Sequence, residues 1–290
     1  MLLKLKLITL YVLFFIGISA IGQVQDSVKY PVNYNAKKDL VYSKVGDWEG
    51  KLDVYYSNDS TQLKPLVINI HGGGWNHGSK EQQTGFGSFF KNGYTVANIE
   101  YRLVHQGKAP SAIEDIRCAL LYLVQNAELF QIDTNKIVLM GSSAGGHLAL
   151  MAGLQPKESM FDSNCSNQKQ FTIVAIINKY GITDLSTKQG LKSKSVQNWL
   201  GNYKADDDFV KSVSPINYVS KNSPATFIVH GNADSVVPYS QSEQLFEKLN
   251  KMNVKTDFIT IENGGHGKFS KEENRTVSDA MWKFLKELGL

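Results

Sequence analysis

Gly141-Ser142-Ser143-Ala144-Gly145 follows the apolar run Lys136-Ile137-Val138-Leu139-Met140 and precedes His147-Leu148-Ala149-Leu150-Met151-Ala152. A strand therefore runs into a helix with almost no loop between them. A serine at such a corner is held in a strained backbone conformation with its oxygen pushed clear of the sheet. The glycines decide which of the two serines is meant. Ser143 has Gly141 two residues before it and Gly145 two after, where close approach of strand and helix needs them, whereas Ser142 has Met140 and Ala144. Ser143 is the candidate nucleophile; a tight glycine-serine turn is the alternative that this stretch alone leaves open.

Outward from the corner, short continuous apolar runs alternate with segments of helical periodicity. That pattern predicts a mostly parallel central sheet with helices on both faces, an α/β fold. Strands are expected at 66–71, 95–101, 136–140, 172–179, 226–229 and 256–261, and helices at 112–130, 145–154, 239–252 and 274–290. The helix at 112–130 places Ile113, Ile116, Leu120, Leu123 and Val124 on one face. Ahead of these, 38–44 and 51–56 alternate apolar and polar residues and read as an antiparallel edge pair, with Gly46 and Gly50 bracketing the turn. Residues 182–224 form a polar excursion before the strand at 226. It either overhangs the carboxyl ends of the strands, where such folds place ligands, or elaborates the surface.

The first residues carry Lys4 and Lys6, then an apolar run from Leu7 to Ile21 that closes on Gly17, Ser19, Ala20 and Gly22. This is the pattern of a signal peptide, residues 1–22, and is shorter than the roughly 20 apolar residues of a spanning helix. The expectation is export, to the periplasm or outside the cell, with cleavage after Gly22; an uncleaved anchor is the alternative. No stable membrane insertion is expected once the leader is removed. No cysteine stands near the cleavage region, which argues against a lipid anchor.

The rest, 23–290, has the length of one α/β domain. The chain's net charge of +4 includes the two leader lysines, and no basic stripe points to nucleic acid. Cys118 falls in a helical stretch and Cys165 in a polar loop, so two unpaired thiols are expected rather than a bridge. Neither sits in a nucleophile motif, and the sequence leaves the oligomeric state open.

His71-Gly72-Gly73-Gly74-Trp75 follows the first parallel strand. Consecutive glycines let backbone N–H groups converge on one point, which suits an oxyanion. A phosphate cradle would need a lysine and a serine or threonine that do not follow. Of the six histidines, His71 belongs to this loop and His147 points into helix packing. His77 and His105 lie in loops without a nameable partner, and His230 ends a strand as a structural residue. His266, in Asn263-Gly264-Gly265-His266-Gly267 after the last strand, remains as the base. Asp234, after the penultimate strand, is the acid that orients it. Asp115 is expected in a structural ion pair and Asp206 to Asp208 at a solvated helix start. The order serine, acid, histidine is that of α/β-hydrolases. No metal-ligand spacing and no dinucleotide fingerprint is present, so no metal and no cofactor are expected.

These motifs together resemble the α/β-hydrolase esterases with a His-Gly-Gly-Gly oxyanion loop, and more closely the compact group of bifunctional feruloyl and acetylxylan esterases. The resemblance runs from about residue 38 to the carboxyl terminus; Ile99-Glu100-Tyr101-Arg102-Leu103 and Ser214-Pro215-Ile216-Asn217 share in it. It implies catalytic roles for Ser143, Asp234 and His266, and oxyanion donors at Gly73, Gly74 and Ala144. Too few residues precede position 38 for the large amino-terminal cap of the lipase-like members. An open site favours short acyl groups, acetyl above all, on small or carbohydrate alcohols. Trp75 and Trp199 are the candidate substrate-binding side chains, able to stack on a sugar ring; the competing reading packs them, with Tyr203, between excursion and sheet. An amidase or arylformamidase is the alternative activity. A non-catalytic binding protein on this fold would be expected to lack one of the three site residues.

Overall fold

The computed structural model describes residues 28–59, 61–155, 160–162, 165 and 169–290. The expected leader, 1–22, lies outside them. Among the described residues no helix is long and apolar enough to cross a membrane.

Eight strands form one sheet in the order β1-β2-β4-β3-β5-β6-β7-β8. The first two, β1 (Tyr34–Val45) and β2 (Trp48–Ser57), are the antiparallel edge pair, with Val45 opposite Trp48 across a two-residue turn. Gly50 does not bracket that turn. It lies within β2 opposite Ser43, where the rings of Tyr42 and Trp48 occupy the space a β-carbon would need. β2 pairs antiparallel with β4 (Thr95–Ile99), and every further pairing is parallel: β3 (Lys64–Ile70), β5 (Ile132–Ser142), β6 (Ile173–Lys179), β7 (Ala225–Gly231) and β8 (Thr256–Ile261). The continuous apolar runs have their cause here, because alternate residues bury against opposite layers. Val67, Val138, Ile177 and Phe227 pack with Phe89 of α1 (Gly87–Lys91) and Phe284 of α8 (Lys271–Glu287). Leu66, Ile68, Leu139 and Ile176 pack with α2 (Ser111–Gln125), α3 (Ala144–Leu154) and α7 (Ser240–Lys251).

The largest departures from the expected helix bounds are in α2 and α8. α2 stops at Gln125, and the chain turns so that Phe130 is buried and its carbonyl accepts from the Thr95 hydroxyl at 3.2 Å. α8 starts three residues before 274, set by a reciprocal capping box between Ser270 and Glu273. The helix start expected at Asp206 is present: its carboxylate accepts from the Phe209 N–H and caps α6 (Asp207–Ser212). Asp115, in α2, makes the expected ion pair, taking the backbone N–H and guanidinium of Arg102. Burial pushes that carboxyl up to about 6 against the pull of Arg102.

The thiols are not unpaired. Cys118 of α2 and Cys165 form a disulfide with Cα atoms 5.4 Å apart. The neighbouring Arg117 pairs with Asp162, which draws the same loop onto α2. Local pattern around either cysteine carries no sign of that long-range return.

The excursion, 182–224, folds as α4 (Lys188–Lys192), α5 (Lys194–Leu200), α6 and two single 3-10 turns. Val196, Trp199 and Leu200 bury its inner side. His147 in α3 donates from Nε2 to the Val213 carbonyl at 2.8 Å, and complete burial lowers its imidazole to about 4. It is the buried histidine expected and holds the excursion to α3, although its Nδ1 has no hydrogen-bond partner among the described residues.

Candidate active site

The carboxyl ends of β3, β5, β7 and β8 converge on one point, as the topology of an open parallel sheet dictates. Ser143 stands at φ 54° and ψ −121° between β5 and α3, with its N–H donating to the Lys179 carbonyl at 2.9 Å. Such a conformation costs a non-glycine residue about 1–3 kcal/mol. The packing fixes it: a β-carbon at Gly141 would strike the Gly145 carbonyl, and one at Gly145 would strike the carbonyls of Ile70 and His71. Both glycine positions that single out Ser143 are therefore closed to any side chain.

The Ser143 hydroxyl lies 2.8 Å from His266 Nε2, and His266 Nδ1 lies 2.6 Å from Asp234 Oδ2. A carboxylate only accepts, so Nδ1 carries the hydrogen and Nε2 is left as the base facing the serine. Asp234 Oδ1 accepts from the N–H groups of Val236 and Val237 at 2.7 and 2.9 Å. Burial pushes the Asp234 carboxyl up, but hydrogen bonds from His230, His266 and the two valines outweigh it and hold it well below the usual carboxylate range. The Asp234 carboxylate therefore stays ionised beside the His266 imidazole.

Gly73, Gly74 and Ala144 line the same cavity of about 370 Å³ as Ser143 and His266. Ala144 is the first residue of α3, where the N–H has no acceptor within its own helix. Gly73 adopts φ +109°, and a β-carbon there would collide with the His77 carbonyl. The loop is braced from behind by the Tyr101 hydroxyl, which donates to the His71 carbonyl at 3.0 Å, while His71 stacks on the Tyr101 ring. His71 shapes the loop as expected, and its Nδ1 lies 2.7 Å from the Gly72 carbonyl.

Trp75 and Trp199 require a correction. Both are fully buried and stack on each other at 4.6 Å with 13° between ring planes, each meeting His147 edge-on. Neither can offer a ring face to a substrate, because each ring's apolar area is spent joining the glycine loop to the excursion. The excursion does reach the site: Ile182, Ser193 and Ser195 line the cavity. Tyr203 is half-exposed and stacks on Phe209.

Two neighbours of the site were not expected there. Tyr180, after β6 at φ 43°, sets its ring against the His266 imidazole at 4.8 Å. His230 reaches Asp234 through Nε2 at 3.2 Å. The four-residue interval from His230 to Asp234 was the available signal. Among the described residues no cluster of three or more His, Cys, Asp or Glu could hold a metal ion.

The BD-FAE family model matches residues 52–249. The chain is 28% identical over 230 residues to esterase LipC of Mycobacterium tuberculosis, covering 74% of this chain and 56% of LipC, so it spans little more than half of that relative. Among solved structures, a truncated carbohydrate esterase from gut microbiota superposes with a TM-score of 0.76 at 25% identity, covering 89% of this chain and all of the other. Esterase Est2 of Thermogutta terrifontis, solved with propionate bound, gives 0.73 at 25% identity over 89% of this chain and 95% of the other.

Proposed function

The chain belongs to the BD-FAE family, and from that premise we propose that it is an exported serine carboxylesterase for short acyl esters, acetyl esters of carbohydrates above all. The observation that carries the reading is the unbroken line Ser143–His266–Asp234 beside the three backbone N–H groups. Ser143 Oγ attacks the ester carbonyl as His266 Nε2 takes its proton, and Gly73, Gly74 and Ala144 donate to the tetrahedral oxyanion. The C–O bond to the alcohol breaks as His266 returns the proton to it, leaving an acyl-serine. Water then attacks that acyl group with the same histidine as base, and the acid leaves.

Short acyl groups are favoured by a cavity of about 370 Å³ that must also hold part of the alcohol. The propionate complex of Est2 supports the same range. A carbohydrate alcohol is favoured by the likeness to the gut carbohydrate esterase and by Ser193, Ser195 and His77 in the wall. Export is supported by the amino-terminal pattern and by the Cys118–Cys165 disulfide, which persists in oxidising compartments.

The test is acetate release from acetylated xylan, run beside p-nitrophenyl acetate, butyrate and octanoate with Ser143→Ala as blank. Acetate release is expected, with kcat/KM falling at least about tenfold from acetate to octanoate. Aryl esters cleaved with xylan untouched would remove the carbohydrate assignment and keep the esterase. Cleavage of N-formyl aromatic amides alone would give the arylformamidase.

A further inference from the structure

We propose that His230 is a positioning residue of this reaction: with its own hydrogen fixed on Nε2, it holds the Asp234 oxygen that orients His266. The inference rests on the esterase reading and adds a residue to it.

The His230 side chain is fully buried near the end of β7. Its Nε2 faces two acceptors, Asp234 Oδ2 at 3.2 Å and the Val237 carbonyl at 3.1 Å, so that nitrogen must carry a hydrogen. Nδ1 lies 2.8 Å from the Ser242 hydroxyl, which supplies the donor that a neutral Nε2–H imidazole needs on its other side. The rings of Tyr239 at 5.6 Å and Tyr180 at 6.4 Å stand near it in T-shaped geometry. A continuous chain results: Ser143, His266, Asp234, His230, Ser242.

The consequence falls on Asp234. Its four lone-pair positions are filled by two backbone N–H groups on Oδ1 and two imidazole N–H groups on Oδ2. Three of those donors come from the residue's own turn and from β7, so the carboxylate stays fixed while His266 gains and loses a proton. The second imidazole also lowers the basicity of Oδ2, so the proton taken from Ser143 stays on His266.

The variants are His230→Phe, which keeps the ring and removes both nitrogens, and His230→Gln, whose amide nitrogen can donate toward Oδ2. In His230→Phe, kcat for p-nitrophenyl acetate is expected to fall about tenfold with KM unchanged. The acid limb of kcat/KM should move to higher pH, because a carboxylate with one donor fewer favours the His266 imidazolium. The low-field proton resonance of His266 Nδ1–H should move further downfield. His230→Gln should restore all three toward wild type. If His230→Phe fails to fold, Ser242→Ala, which releases the Nδ1 side, should move the acid limb and the resonance in the same direction. An unmoved acid limb and resonance in the folded variants, with activity lost only in proportion to unfolded protein, would overturn the proposal. The resonance needs no turnover: were wild type inactive toward esters, the esterase reading would fail by itself, and the resonance would still decide the role of His230.

Discussion

Replacing Ser143 by alanine is expected to lower kcat for p-nitrophenyl acetate by about 10⁵-fold, to what oxyanion donors and binding alone supply. The size follows from the division of labour in the site. Without Oγ there is no acyl-enzyme, and His266 Nε2 loses the only group it is aligned to deprotonate at 2.8 Å. The backbone should not notice: alanine keeps the β-carbon, and the φ of 54° is imposed by Gly141 and Gly145 rather than by the hydroxyl. Stability should stay within about 1 kcal/mol. Ser142→Ala is the companion experiment. The Ser142 hydroxyl takes no part in the line from Ser143 through His266 to Asp234, so activity should stay within about tenfold of wild type.

Asp234→Asn is expected to cost about 10⁴-fold in kcat. The amide's orientation is forced. Val236 and Val237 N–H groups require an acceptor at Oδ1, so the amide oxygen must sit there and the NH₂ must take the place of Oδ2. That NH₂ then faces His266 Nδ1, which can only accept from it, so the hydrogen moves to Nε2 and points at Ser143. The base is lost with every heavy atom in place. The same substitution should change acid stability. The Asp234 carboxyl is held below its ordinary value of about 3.9, so the unfolded chain binds its proton first as pH falls. Its contribution is complete above about pH 5 and is lost as pH drops through the ordinary value toward the depressed one. Thermal melts of the asparagine variant should therefore fall less steeply than wild type below about pH 4.

The parts of the site legible in the sequence are those fixed by backbone geometry. A serine elbow needs glycines two residues to either side, and an oxyanion loop needs consecutive glycines after a strand, so both announce themselves in spacing. Asp234 and His266 were legible because chain order after successive parallel strands places them at one end of the sheet. What escaped depends on what packs from elsewhere. Trp75 and Trp199 look alike as ring platforms or as packing until the fold brings them face to face at 4.6 Å. Cys118 and Cys165 are 47 residues apart, and only the return of the loop to α2 joins them. The contact of His230 with Asp234 comes from a turn that folds the carboxylate back onto the strand end. Tyr180 likewise lies far in sequence from the histidine it touches.

The most direct measurement of the central claim is covalent labelling of the full chain with a fluorophosphonate, followed by peptide mass mapping. One adduct per chain is expected, on Ser143, abolished in Ser143→Ala and retained in Ser142→Ala. An adduct on Ser142 in the wild-type chain, or no adduct under conditions that label a control serine esterase, would contradict it.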